Sequence, residues 1–178
     1  KSVQMYGLSV MFGKRLRWPD DYFTFTASLS YQRYVLKDWQ YFPVTNGKSN
    51  NISLELTLAR NSVDNPIFPR YGAEFSFSVQ LTPPYSLWDG VDYSKYAQSA
   101  SDPNYQNDMN KKYSWVEYHK WKFKSKTYTA LTNKNKTPVL MTRVEFGLLG
   151  HYNRYKRSPF ETFYMGGDGM SGYSYSYA

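Results

Sequence analysis

The chain has 178 residues, 41% of them apolar, no cysteine and a net charge of +8. Without cysteine, a disulfide framework and a thiolate metal site are excluded, and no run approaches the ~18 apolar residues of a membrane-crossing helix. A mean hydropathy of −0.68 leaves a membrane β-barrel open, because barrel strands are apolar on one face only. The aromatic content of 20%, with 19 Tyr, 11 Phe and 5 Trp, exceeds what a soluble core needs. Sugar-binding surfaces, base-stacking platforms and the interfacial girdles of membrane barrels all use such residues. The basic surplus sits mainly in loops and in one strand, so no nucleic-acid partner is expected from it.

Taken in chain order, period-two alternation dominates. The first strand, about Val3 to Phe12, sets Tyr6, Leu8, Val10 and Phe12 on one face. In the second, Phe23, Phe25, Ala27, Leu29 and Tyr31 alternate with Thr24, Thr26, Ser28, Ser30 and Gln32. The third opposes Ile52, Leu54, Leu56 and Leu58 to Asn51, Ser53, Glu55 and Thr57. The fourth opposes Ala73, Phe75, Phe77, Val79 and Leu81 to Glu74, Ser76, Ser78 and Gln80. The fifth, about Trp115 to Leu131, has Trp121 and Phe123 on one face and Lys120, Lys122, Lys124 and Lys126 on the other. Glu117 and His119 share the parity of Trp121, which predicts either a bulge or a position above any bilayer. The sixth, Val139 to Leu149, opposes Leu140, Val144, Phe146 and Leu148 to Arg143, Glu145 and Gly147.

One-sided alternation also describes a soluble sandwich. The connections Gly13–Asp21, Ser62–Arg70 and Thr132–Pro138 are short, whereas those near Leu36–Asn50, Pro83–Ser114 and after Gly150 are long. Short turns at one end and long loops at the other are the habit of outer-membrane barrels. The apolar faces carry no charge in their central runs, as a lipid-facing surface requires, since a mid-depth cation costs about 2–4 kcal/mol. The expected fold class is therefore all-β, a transmembrane antiparallel β-barrel, with Phe25, Leu29, Leu54, Leu56, Phe75, Phe77 and Phe146 towards lipid. Six strands cannot close such a barrel, and an open edge in hydrocarbon would leave backbone groups unpaired. The expectation is that residues 1–178 form an internal part of one larger C-terminal barrel domain.

Two segments carry a family resemblance. Asp64-Asn65-Pro66-Ile67-Phe68-Pro69-Arg70-Tyr71-Gly72-Ala73 resembles the Asp-x(n)-Phe-Pro-x-x-Gly turn of the BamA-type outer-membrane protein assembly factors, within the outer-membrane insertase superfamily. Ser158-Pro159-Phe160-Glu161-Thr162-Phe163-Tyr164-Met165-Gly166-Gly167-Asp168-Gly169 resembles the Pro-Phe-x-x-Phe-Tyr-x-Gly-Gly opening of that family's sixth extracellular loop. The resemblance implies a barrel of about sixteen strands, with the fragment ending where this loop folds into the lumen. It also implies a bacterial outer-membrane location and a non-enzymatic role in inserting nascent outer-membrane β-barrel proteins, alongside accessory lipoproteins. The family's loop carries an Arg-Gly-Phe/Tyr element, but here Met170-Ser171-Gly172-Tyr173 has Ser171 where arginine is expected. No arginine role is therefore carried over, and the real element is expected beyond Ala178.

The candidate site has two parts. The lumen-loop motif comprises Phe163, Tyr164, Gly166, Gly167, Asp168, Gly172 and Tyr173, and it is expected to fold back into the barrel. The lumen wall comprises Lys120, Lys122, Lys124, Arg143 and Glu145, either a basic surface meeting acidic groups or simply a solvated inner face. Gly166-Gly167-Asp168-Gly169 is not followed by a helix, so a bending turn is the better reading than a phosphate cradle. His119 and His151 lie far apart without carboxylates at ligand spacing, so no metal, cofactor or catalytic group is expected. The aromatic Pro83–Ser114 segment reads equally as a cap or docking surface and as an extension of the aromatic girdle. A porin, a protein-translocating barrel channel and a soluble aromatic-rich sugar-binding domain remain the competing classes.

Overall fold

The computed structural model describes residues 2–38, 45–96, 99, 101–134 and 137–158, together with the backbone of 164–165 and 176–177. Six strands make one open antiparallel sheet in sequence order: β1 (Ser2–Arg15), β2 (Phe23–Lys37), β3 (Gly47–Asn61), β4 (Tyr71–Leu81), β5 (His119–Ala130) and β6 (Val139–Gly150). Between β4 and β5 lie two α-helices, α1 (Tyr85–Trp88) and α2 (Tyr105–Lys112), with a short 3-10 turn at Tyr93–Lys95 between them. A separate two-residue pair joins β7 (Tyr164–Met165) to β8 (Ser176–Tyr177), antiparallel.

The strand register turns alternation into two continuous faces. Phe25 stands opposite Leu58, Leu58 opposite Phe77, Phe77 opposite Phe123, and Phe123 opposite Phe146. A parallel row runs Phe12, Ala27, Leu56, Val79, Trp121 and Leu148. Each such cross-strand pair contributes roughly 0.2–1 kcal/mol, and a slip of one residue would throw every one of them to the other face. On that other face a row of Thr26, Thr57, Ser78 and Lys122 crosses the same strands.

The buried core does not lie on the apolar face. Leu36, Tyr93, Met109, Tyr113, Val116 and Tyr118 are the buried hydrophobic residues among those described, and five of them belong to the β4–β5 connection. The apolar face stays open, with Leu8 72%, Leu29 54% and Phe146 62% exposed.

Two expectations are corrected. The fifth strand begins at His119, four residues later than Trp115. Trp115–Tyr118 instead run beside the overhang of β3, where Asn50 donates to the Ser114 carbonyl at 2.8 Å and accepts from Val116 N–H at 2.9 Å. The reason is register: β4 ends at Leu81, opposite Leu54, so β3 residues before Leu54 would otherwise have one edge unpaired. The β2–β3 connection is also not long. The ladder extends to Leu36 opposite Gly47, which leaves residues 38–46 as the connection, no longer than the 62–70 turn.

Candidate functional site: the polar face and the segment that covers it

Alternation places Lys120, Lys122, Lys124 and Lys126 on the polar face of β5, and the β5–β6 register brings Glu145 opposite Lys124 and Arg143 opposite Lys126. Glu145 accepts from Arg143 Nε at 2.9 Å and lies 3.8 Å from Lys124 Nζ. On the other side, Glu74 stands opposite Lys126. The five residues expected as a wall share the polar face, and Lys124, Arg143 and Glu145 cluster on it around an Arg–Glu pair. The seven expected apolar-face residues, Phe25, Leu29, Leu54, Leu56, Phe75, Phe77 and Phe146, share the opposite face.

At the loop end, the β4–β5 connection folds over the polar face. Pro83 and Pro84 stop β4 because neither can donate to a ladder. Met109 of α2 and Tyr113, which caps that helix, then pack onto Leu36, flanked by Val3 and Tyr105. Ser49 Oγ donates to the Tyr113 carbonyl at 2.6 Å. Tyr118, wholly buried, lays its hydroxyl among polar-face side chains, accepting from Gln80 Nε2 at 2.8 Å and Asn51 Nδ2 at 3.4 Å. Its backbone is locked to Thr82 by N–H to Oγ1 at 2.7 Å and by Thr82 N–H to its carbonyl at 3.1 Å.

Glu117 resolves the parity conflict seen in the sequence. It lies outside β5 and is 1% exposed. Its carboxylate accepts from Ser86 N–H at 2.9 Å and from Ser86 Oγ at 2.5 Å. Beside it the Lys156 ammonium, 3% exposed, sits 5.0 Å from the Tyr93 ring and 5.9 Å from the Tyr85 ring, a cation–π cage. Burial pushes the Lys156 ammonium below its ordinary range, and the Glu117 and Asp89 carboxylates oppose that shift. Tyr93 also donates its hydroxyl to Asp89. Burial, and then that carboxylate, push the Tyr93 hydroxyl well above the usual phenol range. The segment after β6 is thereby pinned to the β4–β5 connection.

The opposite end of the sheet carries the 64–73 motif, and its conformation explains its residues. Asp64 Oδ1 accepts from the N–H groups of Asn65, Arg70 and Tyr71 at 2.9, 3.0 and 3.2 Å. The Arg70 amide, helped by Tyr71 and Asn65 against a modest burial effect, holds that carboxyl below its usual range. Gly72 has φ +111°, and a Cβ there would come within 2.3 Å of the Ser62 carbonyl oxygen. Only glycine fits. Arg70 also donates to the Lys134 carbonyl at 2.7 Å, tying this turn to the β5–β6 turn. Arg60, on the apolar face, sits at its turn end. There it meets Asp20 at 2.9 Å and the Tyr22 ring at 5.5 Å.

Of the expected loop motif, the backbone of Tyr164 lies in β7; Phe163, Gly166, Gly167, Asp168, Gly172 and Tyr173 fall outside the described residues. His119 accepts from Trp121 Nε1 at 3.0 Å, and its ring meets that of Tyr152 at a tilt, centroids 5.4 Å apart. Among the described residues, no three His, Asp or Glu converge as metal ligands. Sequence reasoning missed Tyr118, Gln80, Asn51, Glu117 and Lys156 as a set. The only signal for them was the parity conflict at Glu117.

Comparison with curated proteins returned no match. The Omp85 superfamily domain matches residues 2–178, practically the whole chain, and that superfamily is linked to outer-membrane protein insertion and translocation. Its sheet, its Asp64–Gly72 turn and this match agree: the chain belongs to the Omp85 superfamily.

Proposed function

We propose that residues 1–178 are part of the C-terminal transmembrane β-barrel of a BamA-type assembly factor, ending at the start of the lumen-folding loop. In this reading the protein is not an enzyme. It inserts nascent β-barrel proteins into the bacterial outer membrane, with accessory lipoproteins as partners. The observation that carries the reading is the open apolar face, where Phe25, Leu58, Phe77, Phe123 and Phe146 form an unbroken row while the buried core lies elsewhere. An apolar surface of that extent marks a contact with membrane or protein; with lipid against it, the polar face becomes the lumen wall, with Lys120, Lys122, Lys124, Arg143 and Glu145. This portion supplies scaffold, lipid belt and lumen wall; templating by a weak seam falls to strands outside it. A passive porin fits less well, because α2 and Tyr118 cover the polar face at the loop end.

Depletion of the protein in its host tests the proposal. Heat-modifiable folded forms of many outer-membrane barrels should fall together while their unfolded precursors accumulate. Normal barrel levels with loss of one surface-exported protein would favour a translocating channel, and no change in either would reject both readings.

A further inference from the structure

A second polar feature at the loop end borders the Leu36 cluster and shares Tyr105, Met109 and Tyr113 with it. Between the C-terminal turn of α2 and the segment after β6 lies a cleft of about 280 Å³, lined by Tyr105, Met109, Lys112, Tyr113, Arg154, Tyr155 and Arg157. Three of these carry positive charge and none carries a carboxylate. Lys112 Nζ sits 5.3 Å from the Tyr113 ring, and the Arg154 guanidinium 4.7 Å from the Tyr155 ring, whose hydroxyl it also reaches at 2.6 Å. The aromatic faces thus hold two of the cations in place before any ligand arrives. Lys112 also feels a fourth charge: burial first, and then the neighbouring Lys156, lower its proton affinity. Like charges gathered on an aromatic floor are stabilised by an anion.

The cations suit an oxyanion such as phosphate. A guanidinium presents paired N–H donors matched to phosphate oxygens, and such charge-assisted bonds are stronger than neutral ones. The remaining wall is tyrosine and methionine, flat apolar surface with hydroxyl tips, which suits the C–H faces and hydroxyls of a sugar ring. We propose that this cleft binds a phosphorylated saccharide, whether the headgroup of a glycolipid or a free sugar phosphate. The site does not depend on the insertion activity, so it stands or falls separately from the proposed function.

The whole protein, purified in detergent, tests this by calorimetric titration with four probes: glucose 6-phosphate, glucose, inorganic phosphate and lipopolysaccharide micelles. Glucose 6-phosphate should bind at least tenfold more tightly than inorganic phosphate, and glucose should not bind. Tighter binding of lipopolysaccharide than of glucose 6-phosphate assigns the glycolipid source, and the reverse order assigns the free sugar phosphate. The variant R154Q/R157Q, which alters two exposed side chains, should weaken the preferred probe at least tenfold while the folded band on a heat-modifiability gel is unchanged. K112Q should weaken it in the same sense, and 0.5 M salt should weaken it further. Equal affinity for phosphate and glucose 6-phosphate would overturn the saccharide half. Unchanged binding by the folded double variant, or no binding of any phosphorylated probe, would overturn the site.

Discussion

Replacing Leu56 with arginine tests the face assignment most directly. Leu56 stands opposite Ala27 on β2 and Val79 on β4, in the middle of the apolar row, whereas its neighbour Thr57 stands between Thr26 and Ser78 on the polar face. If the apolar face meets hydrocarbon, L56R should cost about 2–4 kcal/mol, a factor of roughly 30–900 in the folding equilibrium. T57R, in a wet interior, should cost no more than about 0.5 kcal/mol. The chain itself contains the control. Arg60 occupies the same face, about 14 Å further along the strand at ~3.4 Å per residue, where Asp20 pairs with it at 2.9 Å. An arginine is therefore tolerable at the turn end and not at the centre, and L58R should fall between the two. Urea unfolding of each variant in phosphocholine vesicles, followed by heat-modifiable gel mobility, gives the comparison. Equal midpoints for L56R and T57R would refute the lipid-facing assignment, and a lower midpoint for T57R than for L56R would invert it.

Three further outcomes are expected. The chain has no cysteine, so single cysteines report topology: an impermeant thiol reagent on intact cells should label S99C and miss N65C, and the opposite pattern would invert the topology. Replacing Gly72 with alanine should destabilise the Asp64 turn by about 2 kcal/mol or more, given its positive φ and the approach to the Ser62 carbonyl. A urea midpoint equal to that of the natural protein would disprove the conformational argument. Replacing Tyr118 with Phe removes the hydroxyl that serves Gln80 and Asn51 and should cost about 1–3 kcal/mol. Limited proteolysis should then cut within residues 83–117 while β1–β6 persist, and unaltered protection of that segment would count against its docking on the polar face.

The strands, their faces and their antiparallel neighbour pairing follow from residue order alone. A β-strand sends alternate side chains to opposite sides, and Phe25, Leu56, Phe77 and Lys122 each carry that information locally. The Asp64–Gly72 turn was legible only as a resemblance; its amide-collecting carboxylate and its glycine at positive φ emerged from the fold. Where a strand should end was not legible. Trp115–Tyr118 alternates well enough for β5, but β4 stops at Leu81 and leaves the edge of β3 open, so those residues pair with Asn50 instead. Nor could Lys156 be seen as more than a loop cation. Its cage is assembled from Tyr85, Tyr93, Asp89 and Glu117, which lie 39–71 positions earlier in the chain. Burial of a charge among distant partners is settled only when the sheet has brought both segments to the same end, and no periodicity within either segment encodes it.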